Sequence, residues 1–357
     1  MSYSLLQGNE FARVSAWIIG FVGIVANVNV LYQRYKMHLS NFSMHNQDYH
    51  RGHHSVIKSR KVINCLTCHL AIADIFGAIY LIIIASADLY YGYSYPAIYQ
   101  NPNPINQTNI WSINPLCKMG SLLVFTTPIA SIFITFIIAV DRFIAVIMPN
   151  SKARLNVRRC RVIICMCWCL SLPFGLFPTI RSIISIPHFK SSFEFSDNIC
   201  LYRDDNSKLI IPFVLLRQGI LHLSCTLITI LYIIIISYIK YKNSGIGSQL
   251  HRSERRILLI MCLITFTNIF SLAPSTIILG IAPTVKSLLS EKVYAHYAVV
   301  SIIFNFSNIA INPFIYMLNG RRSIFHLFQL HRNKVLPFWT RPIIIRSKNN
   351  GTREINT

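Results

Sequence analysis

Seven apolar stretches recur along this chain, at about Ala16–Tyr32, Val62–Ser86, Cys117–Ile144, Val162–Ile180, Leu209–Tyr238, Ile257–Ala282 and Tyr294–Leu318. A helix needs roughly 20 mostly apolar residues to cross a bilayer, and each stretch is of that order. Composition agrees, since 53% of the 357 residues are hydrophobic and only 13% are charged, about half the ~25% charge of soluble domains. The chain is therefore predicted to be an all-α membrane protein, a seven-transmembrane helix bundle. Residues 1–15 are expected to form a short extracellular N-terminus, 16–318 the transmembrane domain, 319–332 an amphipathic eighth helix and 333–357 a basic cytoplasmic tail. The leading residues lack the basic n-region of a cleavable signal, so the first span is expected to act as its own insertion signal.

Orientation follows from the basic residues, because short cytoplasmic loops hold an excess of Lys and Arg. The connections after spans one, three and five, together with the tail, hold roughly 25 of the 34 Lys and Arg residues. Acidic residues outside the spans collect on the opposite side, at Glu10, Glu194, Asp197, Asp204, Asp205 and Glu291. The N-terminus is thus expected outside and the C-terminus in the cytoplasm, in the plasma membrane. The net charge of +22 reads as a topology signal with some affinity for anionic membrane lipids. Nucleic acid is not the expected partner, because no folded basic domain with stacking aromatics is present.

Of the ten cysteines, this topology leaves Cys117 and Cys200 facing the oxidising side. A bridge between them would tether the loop after the fourth span over the bundle mouth; the alternative is two free thiols. Cys160, Cys165, Cys167 and Cys169 scatter around one apolar helix without His partners, which reads as filling rather than a metal site. The first inner loop, about Gln33–Lys61, is rich in His and basic residues and reads as a disordered linker. Asn106-Gln107-Thr108 is a glycosylation triplet on the outer side, so Asn106 is the expected glycan site.

Several motifs follow one another along the spans. The first contains Gly23-Ile24-Val25-Ala26-Asn27 and the second Leu70-Ala71-Ile72-Ala73-Asp74. The third starts at Cys117 and ends twenty-five residues later at Arg142, in Asp141-Arg142-Phe143. The fourth carries Trp168, and the seventh Asn308-Ile309-Ala310-Ile311-Asn312-Pro313-Phe314-Ile315-Tyr316. In order and spacing these resemble the rhodopsin-like, class A family of G-protein-coupled receptors, over nearly the whole chain, as a divergent member.

That resemblance implies a receptor, not an enzyme, which passes extracellular ligand binding to a heterotrimeric G protein when the sixth helix moves outward. It implies switch and coupling roles for Asp141, Arg142, Phe143, Glu254, Asn312, Pro313 and Tyr316. Arg142 is expected to pair with Asp141 and with Glu254, which lies twenty residues before Pro274; the alternative is an Arg142 that reaches lipid phosphates. Pro313 removes a helix hydrogen bond and loosens the seventh span. Asp74, Ser131, Asn308 and Asn312 are expected to form a sodium pocket, since oxygen ligands suit a hard cation; a protonated Asp74 bonded to Asn27 and Asn312 is the alternative. No cofactor is obligatory. Arrestin is a further expected partner of such a receptor.

Departures from the family pattern narrow the ligand. Val124 stands where amine receptors hold an aspartate, and Phe306 where opsins hold the retinal lysine, so no retinal is expected. Leu272 replaces the usual tryptophan of the sixth span and Asn268 the usual phenylalanine, changes that touch the relay from pocket to inner face. The fifth span lacks its usual mid-helix proline, leaving Tyr232 or Tyr238 as the candidate inner tyrosine. Arg217, His222 and His296 lie toward the outer side, and charge inside a membrane is a site hypothesis by default. With Val124, Leu272 and Phe306 they form the expected ligand site, for a peptide or a small molecule with an acidic group; the alternative is an Arg217 that reaches up to Asp204 or Asp205. A transporter would show broken half-helices in matched repeats, and an intramembrane enzyme a nucleophile with a base. The remaining competitor is a signalling-deficient seven-helix receptor acting as a scavenger or partner.

Overall fold

Inside a bilayer each backbone N–H and C=O must be satisfied within the chain, which leaves an apolar segment of this length little choice but a helix. The computed structural model describes residues 6, 9–44, 54–99, 111, 114–148, 151, 153–184, 200, 210–244, 262–274 and 299–317. They form helices α1 (Glu10–Met44), α2 (His54–Tyr99), α3 (Pro115–Ile147), α4 (Val157–Ile184), α5 (Ile210–Ser244), α6 (Cys262–Pro274) and α7 (Val299–Tyr316). Six of these are long and apolar enough to cross a membrane, and α6 is a shorter apolar helix over its described residues. The eighth helix, the tail, Glu254, His296 and Asn106 lie outside the described residues.

α3 is the central post. It packs against α2, α4 and α5, while α1 packs against α2 and α7. Two thirds (67%) of the α3 span is buried against 28% of the α4 span, so α4 is the peripheral helix. Its exposed Val162, Met166, Leu170 and Ile180 form a lipid-facing side. Asn114 starts α3 by accepting a 2.9 Å bond from the Leu116 amide, with Pro115 at the first helical position, where no N–H is missed. Small residues let the helices approach closely. A Cβ on Gly175 of α4 would lie 2.1 Å from Thr126 Oγ1 and 2.5 Å from the Leu122 carbonyl of α3.

One expectation needs correction. The stretch Gln33–Lys61 is not one long linker: α1 runs on to Met44 and α2 begins at His54. The apolar boundary marks where lipid ends, whereas Gln, Lys and Arg are good helix formers that extend the helix into water. A second acid, besides Asp74, is buried on α2. Asp88 is wholly buried on α2, where it accepts bonds from Arg13 Nε at 2.6 Å and the Leu6 amide at 2.9 Å. That pair clasps the outer ends of α1 and α2, just beyond the charges at which the spans were drawn.

Cys117 and Cys200 are joined in a disulfide, with Cα atoms 5.4 Å apart, and both are buried. Free-thiol status at these two positions is thereby excluded. Cys160 and Cys167 are buried and Cys165 and Cys169 exposed on α4, and no group of three metal-binding side chains occurs among the described residues.

Candidate functional site: a polar core with a cavity and a buried inner ion pair

Pro313 sets the geometry of α7. A proline has no N–H, so the carbonyl four residues earlier, Ile309, loses its helix donor. Asn27 of α1 supplies the replacement: its Nδ2 donates to Ile309 O at 3.0 Å and to Gly23 O at 2.9 Å. One turn earlier, α7 tightens. The Phe306 amide is shared between the carbonyls of Ile302 and Ile303, and the Ile309 amide returns to Phe306 O at 3.1 Å. This turn holds the Phe306 ring inward, 5.3 Å from the Tyr80 ring. Close approach of α2 is required here, because a Cβ on Gly77 would lie 2.5 Å from the Ile309 side chain.

A chain of polar side chains crosses the middle of the bundle. Asp74, 2% exposed, accepts a long 3.5 Å bond from Asn312 Nδ2. Thr267 of α6 donates to Asn312 Oδ1 at 3.4 Å and to its own helix at Ile264 O at 2.9 Å. A second tie joins α6 to α7 more tightly, with Asn308 Nδ2 donating to Asn268 Oδ1 at 2.7 Å. The residue that departs from the family pattern at Asn268 thus makes a buried helix-to-helix bond in place of aromatic packing. Beside these groups lies a cavity of about 30 Å³, walled in part by Asp74, Ser131, Asn268, Asn308, Leu272 and Phe306. A water molecule needs ~10–15 Å³ of such space. Asn312 stands beside this cavity, bonded to Asp74, rather than on its wall.

At the inner end of α3, Asp141 and Arg142 are 6% and 7% exposed and form an ion pair. Such burial is incompatible with an Arg142 that only reaches lipid phosphates. Phe143 packs against the inner core cluster, which includes Tyr316 and Tyr232. Tyr232 is buried and within electrostatic reach of Arg142, Asp141 and Tyr316. Of the two candidate tyrosines of α5 it is the buried one, whereas Tyr238 is half-buried.

The outer candidates divide. Val124, Leu272 and Phe306 are buried in the bundle, and the Val124 carbonyl accepts from Arg217 Nη2 at 3.4 Å. His222 is not brought to Arg217: five residues turn a helix by about 500°, leaving them some 140° apart. The His222 ring instead meets the Gln218 carbonyl of its own helix at 2.7 Å. Thr267, Thr127, Tyr80 and Asp88 escaped the sequence reading. A Thr in a membrane helix usually bonds its own preceding turn, so nothing in the sequence sets Thr267 apart from Thr226 or Thr229.

The sequence profile of the "7 transmembrane receptor (rhodopsin family)" matches residues 55–316. The chain is similar to the G-protein coupled receptor GRL101 of Lymnaea stagnalis, at 26% identity over 88% of this chain and 25% of that protein. It is 24% identical to the follicle-stimulating hormone receptor of Homo sapiens, over 90% of this chain and 41% of the receptor. The G-protein coupled receptor homolog C3 of Swinepox virus is 26% identical over 58% of this chain and 78% of its own. The chain thus spans between a quarter and two fifths of the length of the first two relatives. With seven apolar helices in order, the ion-paired Asp141 and Arg142, and the Cys117–Cys200 bridge, the chain belongs to the rhodopsin family of G-protein-coupled receptors, a class of receptors and not of enzymes.

Proposed function

We propose that the chain sits in the plasma membrane with its N-terminus outside and relays an extracellular ligand, a peptide or a small molecule, to a heterotrimeric G protein. The single observation that carries this reading is the polar chain from Asp74 through Asn312 to Thr267, with the tie from Asn308 to Asn268. It fastens α6 to α7 next to the cavity, at the level where a ligand's influence must pass inward. A ligand that binds better when α6 is released shifts the population toward the open bundle, and an α-subunit helix then enters the exposed groove. Arg142, Asp141 and Phe143 form the latch at that groove, with Glu254 as the partner acid on the sixth span. Tyr316, next to the Pro313 joint, moves with α7. Arrestin would read the same inner face, and Asn106 would carry the glycan.

Replacing Asn268 by Leu tests this directly. The change removes one buried hydrogen bond and leaves the Asn308 amide without its acceptor, a loss of about 1.4 kcal/mol or more. Basal second-messenger output in cells should rise roughly tenfold toward the open-state limit. Unchanged basal output at equal surface expression would sink the proposal.

Sodium fits the central cavity as an allosteric ion. Asp74 supplies charge, and Ser131 and Asn308 supply neutral oxygens on the same wall, a donor set that suits a hard cation. Asn312 would act through Asp74. A bound ion would neutralise the Asp74 carboxylate and favour the closed bundle. The purified chain should then melt higher in sodium chloride than in choline chloride, by the ~1.4 kcal/mol expected at ten times the dissociation constant. Asp74→Asn should abolish the difference; a salt response that survives this change counts against the ion.

A further inference from the structure

On α5 a guanidinium turns into the outer bundle and meets no acid among the described residues. Arg217 lies seven residues into α5, about 10 Å along the helix. Its side chain does not climb back to the surface. It turns toward α3, where Nη2 reaches the Val124 carbonyl at 3.4 Å and the guanidinium carbon lies 5.2 Å from the Phe125 ring centre. It also lies within electrostatic reach of Tyr80 on α2. A guanidinium has five N–H donors; the single bond here is long, and Nε is enclosed without a partner.

Four carboxylates occur among the described residues, at Glu10, Asp74, Asp88 and Asp141. Asp88 serves Arg13, Asp141 serves Arg142 and Asp74 meets Asn312, and none of the four pairs with Arg217. Further donors stand close by in the fold. Gln218 Nε2, on the next residue of α5, and Ser121 Oγ, one turn outward of Phe125 on α3, are buried without partners. One turn inward of Arg217, Leu221 faces Thr127 and Phe306 across the wall of the cavity. A half-buried positive charge whose Nε is enclosed without a partner is costly unless an anion satisfies it, and the stacking on Phe125 offsets only part of that.

We infer that Arg217 is the anchor for an organic anion: the ligand's carboxylate or sulfate meets the Arg217 guanidinium, and its apolar body runs inward along Phe125 toward Thr127, Leu221 and Phe306. The inference rests on the receptor reading above and names the ligand class for its outer pocket. It assigns specificity to α5 and α3.

The test uses the purified full chain in detergent, with benzoate as the anionic probe and benzamide as its neutral counterpart. Benzoate at saturating concentration should raise the melting midpoint of the parent chain by about 3 °C, benzamide should not, and Arg217→Met should abolish the benzoate shift. Without any probe, Arg217→Met should melt at or above the parent, because it removes a half-buried charge whose Nε has no partner; Arg217→Gln, which keeps polarity and loses charge, provides the same comparison if the methionine variant does not accumulate. A parent indifferent to benzoate, an equal shift with benzamide or in the variants, or variants that melt well below the parent would each overturn the anion site. The receptor reading is judged separately by basal signalling of Asn268→Leu, which needs no ligand. A failed benzoate shift beside a raised basal output removes the anion and leaves the receptor.

Discussion

Arg142→Ala should abolish the G-protein stimulation proposed above, while the double variant Asp141→Asn with Arg142→Ala should restore the stability that the single change loses. Both side chains are buried at the inner end of α3 and paired only one residue apart. Removing the arginine alone strands the Asp141 carboxylate in the bundle, and breaking a buried pair from one side costs about 3–5 kcal/mol. That is a large part of the stability of any domain, so the single variant loses surface expression as well as coupling. Removing both charges leaves no stranded group, and a neutral pair is tolerated in the same place. Surface expression should therefore recover in the double variant, and second-messenger output should not. Output that returns along with expression would show that Arg142 serves the fold and not the G protein. The buried Tyr232 and Tyr316 share one core cluster with Phe143, so the site is a contact point of α3, α5 and α7.

The second large effect concerns a residue with no side chain. Gly175→Val should nearly abolish folded, monodisperse protein, while Gly219→Val on α5 should leave its amount close to that of the parent. In an exposed helix interior, adding a methyl to glycine gains ~0.5–1 kcal/mol from reduced backbone freedom. At Gly175 that gain is overwhelmed. The added Cβ would meet Thr126 Oγ1 at 2.1 Å and the Leu122 backbone carbonyl at 2.5 Å, and the carbonyl cannot turn aside. α4 would have to lift away from α3, uncovering the buried Cys160, Ile164 and Cys167. Nothing lies within 4 Å of a Cβ on Gly219, so the same substitution there meets only lipid. Surface labelling and size-exclusion profiles of the two variants side by side decide the matter; equal yields would refute the close α3–α4 crossing.

Much of the architecture was legible in the residue order. The seven apolar stretches became helices α1 to α7 because a membrane removes the alternatives to a helix, and their cores needed no tertiary information. The ends were less legible. α1 and α2 pass the charges that were expected to stop them, since charge marks the lipid boundary and not the last hydrogen bond. Asp141, Arg142, Cys117 and Cys200 were readable at a distance because a charged pair after an apolar run, and two cysteines on the oxidising side, are rare enough to carry meaning alone. Arg217 was visible for the same reason, as a charge inside a span, but its direction was not.

Local periodicity and the expense of polar groups in lipid are properties of the chain itself, and they determined the helices and the residues that had to find partners. Which partner each one found was decided by the packing of helices distant in sequence. Asn268 meets Asn308 across α6 and α7, Asn27 mends the gap that Pro313 leaves at Ile309, and Asp88 gathers Arg13 and Leu6. Gly175 and Gly219 look alike in the sequence and differ only in whether another helix stands opposite. The physical reason is the short reach of these forces: hydrogen bonds and repulsive contacts act over ~3 Å, and only the folded bundle brings residues more than two hundred positions apart within that distance.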